Sequence, residues 1–229
     1  MAKVDLKIDW CSHKAVKYAC ENWHYSKSVP VPPLVKVGAW ENGKYIGCVI
    51  FSRGASSNLL KPYGLKTTQG CELTRIALDK HKTPVTRIMM IAVKFLKQNS
   101  PALRLVVSFA DANEGHHGGI YQGSNWLYSG TTAKTKQYFY KGKKLHTRQI
   151  SEKGWNIQQG VVRKTPKPSE CKSIDCIGKH RYLMPLDKEM KEQIAILAKP
   201  YPKRVKQAMT SNHEEQRQCD TDLPAPKEN

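Results

Sequence analysis

Between Cys71 and Asp111 the chain reads strand, helix, strand, joined by short turns. Cys71–Asp79 alternates as a strand, with Leu73, Arg75 and Ala77 expected on one face and Glu72, Thr74 and Ile76 on the other. Val85–Gln98 repeats Ile88, Ile91, Ala92, Phe95 and Leu96 at helical spacing. Arg104–Ala110 is a compact apolar run of the kind buried on both faces, and it ends in Asp111. A helix linking two strands of one sheet makes them parallel, with a right-handed crossover. Ligands of open sheets of this kind gather at the carboxyl ends of the strands. Asp111 stands at such an end.

The flanking sequence adds further elements. Val4–Ile8 reads as a short strand and Asp9 as the N-cap of a helix that turns Val16, Ala19, Cys20 and Trp23 inward. That helix delivers His24-Tyr25-Ser26, and Pro30, Pro32 and Pro33 prevent its continuation. Val35–Trp40 and Lys44–Ser52 flank Asn42-Gly43, a strong hairpin signal. Beyond Asp111, Gly115-His116-His117-Gly118-Gly119 leads into a short helix-like segment, Ile120–Trp126, and then into extended Leu127–Gly130. Lys134–Arg148 is expected to form a hairpin around Lys141-Gly142, residues 163–179 to be irregular, and Leu186–Ala198 to be helical. The fold class expected is α/β (α+β), with residues 1–150 as the core, 151–206 as a basic extension packing on it, and 207–229 as a polar, disordered tail.

Charge narrows the choice of partner. Lys and Arg number 38 against 19 Asp and Glu, a net charge of +19. Residues 1–130 contribute +9, 131–206 contribute +13, and 207–229 contribute −3. A surface of this kind releases counterions from a polyanion, so nucleic acid is the expected partner; general solubility or adhesion to an anionic membrane is the other reading. No stretch approaches the ~20 apolar residues that cross a bilayer. Met1–Asp5 opens no apolar signal core, and the 7 cysteines are an odd, scattered set that suits a reducing cytosol. A cytoplasmic protein is expected.

Four segments carry side chains suited to group transfer: His24-Tyr25-Ser26, Glu72-Leu73-Thr74-Arg75, Ser108-Phe109-Ala110-Asp111 and Ile120-Tyr121-Gln122-Gly123-Ser124-Asn125-Trp126. In order and spacing they resemble the phage Mom family of DNA-modification proteins over residues 20–150 and, more distantly, GNAT-type N-acyltransferases. The resemblance implies a GNAT-like, mostly antiparallel central sheet with one parallel βαβ unit and flanking helices. It implies transfer of a small group to the exocyclic N6 of adenine in DNA, giving a carbamoylmethyl adduct that hides phage DNA from host nucleases in the host cytoplasm. It also marks Tyr25, Arg75, Asp111 and Tyr121 as functional positions, Arg75, Thr86 and Arg87 as donor contacts, and His24 with Tyr25 as a segment linked with iron. Lys82-Thr83-Pro84-Val85-Thr86-Arg87 lacks the glycines with which GNAT enzymes hold the coenzyme A pyrophosphate. The donor is accordingly either acetyl-coenzyme A or an activated glycyl group.

The chemistry explains these residue types. Adenine N6 is a weak nucleophile because its lone pair is delocalised into the ring, so a base must take its proton and an acid must serve the leaving group. Asp111 suits the base or orienting role, Tyr121 the acid, and Arg75 an anionic donor group or Asp111 itself. The adenine must be flipped or single-stranded, stacked on Trp23, Tyr25 or Trp126. Lys141, Lys143, Lys144, His146 and Arg148 suit phosphate contacts. Plainer roles exist for each: Asp111 as a turn cap, Tyr121 as packing, Arg75 as a neutraliser of Glu72, His24 as a helix cap, and His116-His117 as hydrogen-bonding groups. Cys171-x4-Cys176-x3-His180 offers three zinc ligands without a fourth. The alternative functions are a non-catalytic nucleic-acid-binding module and a conventional amine acetyltransferase.

Overall fold

A computed structural model describes residues 4–54, 56–145, 149–158 and 160–204. The first half forms β1 (Leu6–Trp10), α1 (His13–Trp23), β2 (Leu34–Glu41), β3 (Lys44–Ser52), β4 (Gly70–Leu78), α2 (Val85–Asn99) and β5 (Leu105–Ala110). There follow α3 (Gly119–Gln122), β6 (Leu127–Thr131), β7 (Thr135–Tyr140), β8 (Lys143–Leu145), β9 (Trp155–Gln158), β10 (Val161–Lys164), β11 (Lys172–Cys176), β12 (His180–Pro185) and α4 (Lys188–Ala195). The main sheet runs β1-β2-β3-β4-β5-β12-β6, and every pairing in it is antiparallel except β4 with β5. This is the mixed, mostly antiparallel sheet with one parallel βαβ unit that was expected.

Helices bury both faces. On one face α2 sets Ile88, Met89, Ala92, Val93 and Leu96 against Val37, Val49, Phe51 and Val106. On the other, α1 covers Cys48, Ile50 and Ala77 with Val16, Ala19 and Cys20. Met190 and Ile194 of α4 cover Leu105, Val107 and Leu183 on that same face. The alternation of Leu105 and Val107 with Val106 across the two clusters is the two-sided burial expected of β5. Asn42 and Gly43 both take positive φ (48° and 78°), the turn that matches strand twist in a two-residue hairpin.

Several local expectations need correction. Asp9 lies in β1 and binds its own neighbours, the Trp10 amide and Lys7, while the N-cap of α1 is Ser12. In β4 the register against β3 slips between Ile50↔Arg75 and Phe51↔Leu73, so Thr74 is a bulge. One extra residue inverts the alternation. Cys71 and Leu73 therefore share a face with Ile76 and Leu78, and Ala77 faces α1 instead. Residues 163–179, expected to be irregular, hold the end of β10 and all of β11. The expected boundary at residue 150 falls in the turn before β9, yet β12 returns to the main sheet between β5 and β6. The tail 207–229 lies outside the described residues.

The chain between β6 and β12 leaves the main sheet and builds two small sheets, β11-β7-β8 and β10-β9. Its two ends are pinned together, with the Thr132 amide donating to the Lys179 carbonyl and the Lys179 amide to Thr132 Oγ1, both at 2.9 Å. That pin sits where β5, β6 and β12 end side by side, as Ala110↔His180 and His180↔Thr131 show. A basic appendage is thereby mounted at the carboxyl end of the parallel pair.

Gly118 positions α3. It holds φ +83°, and a Cβ there would lie 2.2 Å from the Tyr182 ring. Gly118→Ala is therefore expected to destabilise the protein by about 2–4 kcal/mol, from left-handed strain plus overpacking, as read from denaturant unfolding.

Candidate active site

The parallel ladder between β4 and β5 runs from Gly70↔Leu105 to Leu73↔Ser108 and stops at the Thr74 bulge, although β4 continues to Leu78. The strands part there. A cavity of about 760 Å³ opens in the gap, lined by both strands and by residues 23–25 and 115–121. Its volume is within the usual range for small-molecule sites. Tyr25, Arg75, Asp111 and Tyr121 all line it, together with His24, His116 and Arg204.

At the apex of the gap stands Ser108, wholly buried, a residue to which sequence reasoning gave no role. Its Oγ lies 2.8 Å from the Leu73 carbonyl oxygen and 2.7 Å from the Tyr121 hydroxyl. A carbonyl can only accept, so the serine proton goes to Leu73 and the phenol proton to the serine. Tyr121 stacks on Tyr182 at 4.9 Å, and burial pushes its phenol up to about 12. Tyr182 in turn donates to the His117 carbonyl at 2.6 Å.

Asp111 closes β5. Its Oδ1 accepts from the Asn113 amide and side chain, and its Oδ2 meets Lys179 Nζ at 2.8 Å. Burial alone would raise its pKa, but Lys179 and Asn113 together hold the carboxyl below its ordinary value. Asp111 thus caps a turn and faces the cavity at once, and its ionic partner is Lys179 rather than Arg75. Arg75 donates through Nη1 to the Thr74 carbonyl, while its buried Nε has no hydrogen-bond partner among the described residues. Tyr25 is half exposed, with its ring 4.3 Å from His24 and 5.4 Å from His116. His24 Nδ1 accepts from the Ser26 amide at 3.1 Å, which places the ring proton on Nε2.

Other expected residues lie elsewhere. Thr86 is not among the cavity residues, and Arg87 lines a separate hollow with Val4–Leu6 and Ile91. The turn before α2 is already matched to an anion, because the buried Glu41 carboxylate accepts from the Lys82 amide at 2.9 Å and the Thr83 amide at 2.6 Å. Although burial opposes it, these bonds keep Glu41 below its usual pKa. Pro84 has no amide proton to offer. The residues present therefore do not fit a coenzyme A diphosphate as the glycine loop would hold it.

Iron and zinc meet similar obstacles. His24 spends Nδ1 on Ser26, and no cluster of three His, Cys, Asp or Glu side chains with metal-binding geometry occurs among the described residues. Cys171 directly precedes the extended β11 and Cys176 ends it, roughly 16 Å apart at strand rise, too far to share one ion. His180 is engaged by the Tyr128 hydroxyl. Trp126, offered as a stacking surface, is fully buried; Trp23 does line the cavity. Lys141, Lys143 and Lys144 fall on the β7–β8 hairpin of the appendage, whereas His146 and Arg148 lie outside the described residues.

A model of the Mom protein family matches residues 5–203. The methylcarbamoylase mom of Escherichia phage Mu is 24% identical over 208 residues, which cover 87% of this chain and 84% of that protein. Among solved structures, a Bacillus subtilis acetyltransferase in complex with CoA aligns with a TM-score of 0.46 at 12% identity, over 81% of this chain and 100% of its own. An IAA acetyltransferase from Bacillus cereus aligns at 0.42 and 12% identity, over 80% and 100%.

His24 gives the site a pH signature. Burial, reinforced by Arg75, His116 and Lys27, lowers its pKa from 6.5 to about 4. Between those values the unfolded imidazole takes up a proton that the native one refuses, so stability falls as pH drops through this window and levels off below it. Denaturant midpoints are expected to show wild type losing up to about 3 kcal/mol more than His24→Gln over that range. Parallel curves would contradict the neutral His24.

Proposed function

The chain belongs to the Mom protein family, and from that premise we propose that it is a transferase that places a small group on N6 of adenine in DNA, giving a carbamoylmethyl adduct that shields the DNA from restriction. The observation that supports this most is the convergence of Tyr25, Arg75, Asp111 and Tyr121 on one cavity, beside a strongly basic appendage. Residues 132–179 carry 12 basic and 3 acidic side chains. Such a surface draws DNA to the mouth of the cavity.

Each side chain then has a task. The half-exposed Tyr25 ring stacks the extruded base. Asp111, kept anionic by Lys179, accepts a hydrogen bond from N6–H. A weak base suffices there, because the nitrogen becomes strongly acidic once its new bond forms. Tyr121 stays protonated at neutral pH; when the Ser108 proton turns from the Leu73 carbonyl to the phenol oxygen, the phenol proton is freed for the leaving group. Arg75, whose Nε has no partner among the described residues, receives the oxyanion or an anionic part of the donor.

Glu41 and Pro84 leave the 82–87 turn poorly suited to a diphosphate, which favours the activated glycyl donor over acetyl-coenzyme A. N6 attacks the glycyl carbonyl and the leaving group departs with a proton from Tyr121. The free glycyl amine then adds to ring carbon 6, and the bond from that carbon to the original nitrogen breaks. This rearrangement is an isomerisation, and the expelled nitrogen ends as the amide of the carbamoylmethyl group.

DNA from cells producing the protein is expected to yield the modified nucleoside by mass spectrometry; unmodified adenine with all host cofactors present would overturn the reading. Asp111→Asn and Tyr121→Phe should each cut modification by about 100-fold or more while DNA affinity is retained. Nitrogen-labelled glycine should place its label directly on ring carbon 6, and label found only elsewhere rejects the glycyl route. Replacing Lys143 or Lys144 by Gln should lower the slope of log affinity against log salt by about 1 each.

A further inference from the structure

Trp155, Ile157, Val161 and Val162 are strand residues, yet they are 42%, 57%, 56% and 63% exposed. They belong to the β9–β10 ribbon, which pairs with no third strand among the described residues, and all four residues of β10 are exposed on both of its faces. Isolated two-stranded ribbons are marginal in water, and apolar strand residues left in solvent mark a contact surface. The register sets Trp155 opposite Lys164 and Ile157 opposite Val162, so these four side chains share one face. Lys153 lies over the Trp155 ring at 5.5 Å, and Arg163 projects from the opposite face.

We propose that this ribbon is a wedge that enters duplex DNA and holds it open while the target adenine occupies the cavity. The inference rests on the reading of the protein as an adenine-modifying enzyme. The chemistry of the face selects the partner: an apolar centre flanked by Lys153 and Lys164 matches bases that lose their stacking beside phosphates that need neutralising. Apolar side chains inserted between base steps are how proteins hold a duplex kinked or unstacked. Placement agrees, since the ribbon belongs to the appendage whose base is tied to the Asp111 loop. The Ile177 amide donates to Asn113 Oδ1 and Asn113 Nδ2 to the Ile177 carbonyl, both at 3.1 Å.

The test compares wild type with the double substitution Ile157→Ser and Val162→Ser on two DNAs, one fully paired and one with the target adenine opposite an abasic site. The variant should modify the paired duplex about 10- to 100-fold more slowly and the unpaired site at the wild-type rate. The conservative pair Ile157→Val with Val162→Ile should restore the paired reaction. Equal losses on both DNAs, or no loss on either, overturn the wedge. A 2-aminopurine reporter at the target position reads base extrusion without chemistry: fluorescence should rise on adding wild type and stay flat with the variant. If wild type extrudes the base but modifies neither DNA, the transferase reading fails and the wedge stands. A monomer–dimer equilibrium that the serine variant abolishes, with extrusion unchanged, would assign the face to a second copy of the chain instead.

Discussion

Two parallel strands that stop sharing hydrogen bonds leave backbone groups facing a gap, and each of these is costly unless it finds another partner. At the last paired position this chain supplies one from a side chain, the Ser108 hydroxyl, which takes the Leu73 carbonyl. Tyr121 then completes the chain of donors through Ser108. The same two bonds that let β4 and β5 separate thereby fix a phenol at the apex of the opening. Fold and site share this junction, because the Thr74 bulge that ends the ladder also turns Arg75 away from the face of Leu73.

The charges around the junction differ in how they are satisfied. Asp111 is satisfied by Lys179 and Asn113, and Glu41 by the Lys82 and Thr83 amides. Arg75 keeps a buried Nε without a hydrogen-bond partner among the described residues. An arrangement of this kind is preorganised for negative charge that arrives with a substrate or develops on it.

Much of this was legible in the linear pattern. The βαβ unit, the Asn42-Gly43 hairpin and the placement of Asp111 follow from periodicity and turn chemistry, which are local. What was not legible depends on partners remote in sequence. The Thr74 bulge exists only relative to β3, so strict alternation assigned Arg75 to the face of Leu73. β12 is six residues of mixed polarity after an unpatterned basic stretch, and only its fit between β5 and β6 makes it a core strand. Ser108 reads as one small residue in an apolar run, and Lys179 as one lysine among many. Thr86 and Arg87 were matched by position in a motif, whereas the phase of α2 turns Arg87 toward Val4–Leu6.

The closed base of the appendage has a consequence for how such proteins can diversify. Because Thr132 and Lys179 meet through two hydrogen bonds, everything between them is topologically a single loop on an intact scaffold. Such a loop can be lengthened, replaced or traded between relatives without breaking a strand of the main sheet, at a closure entropy that grows only slowly with its length. What the appendage presents to solvent can drift there while the cavity below stays fixed.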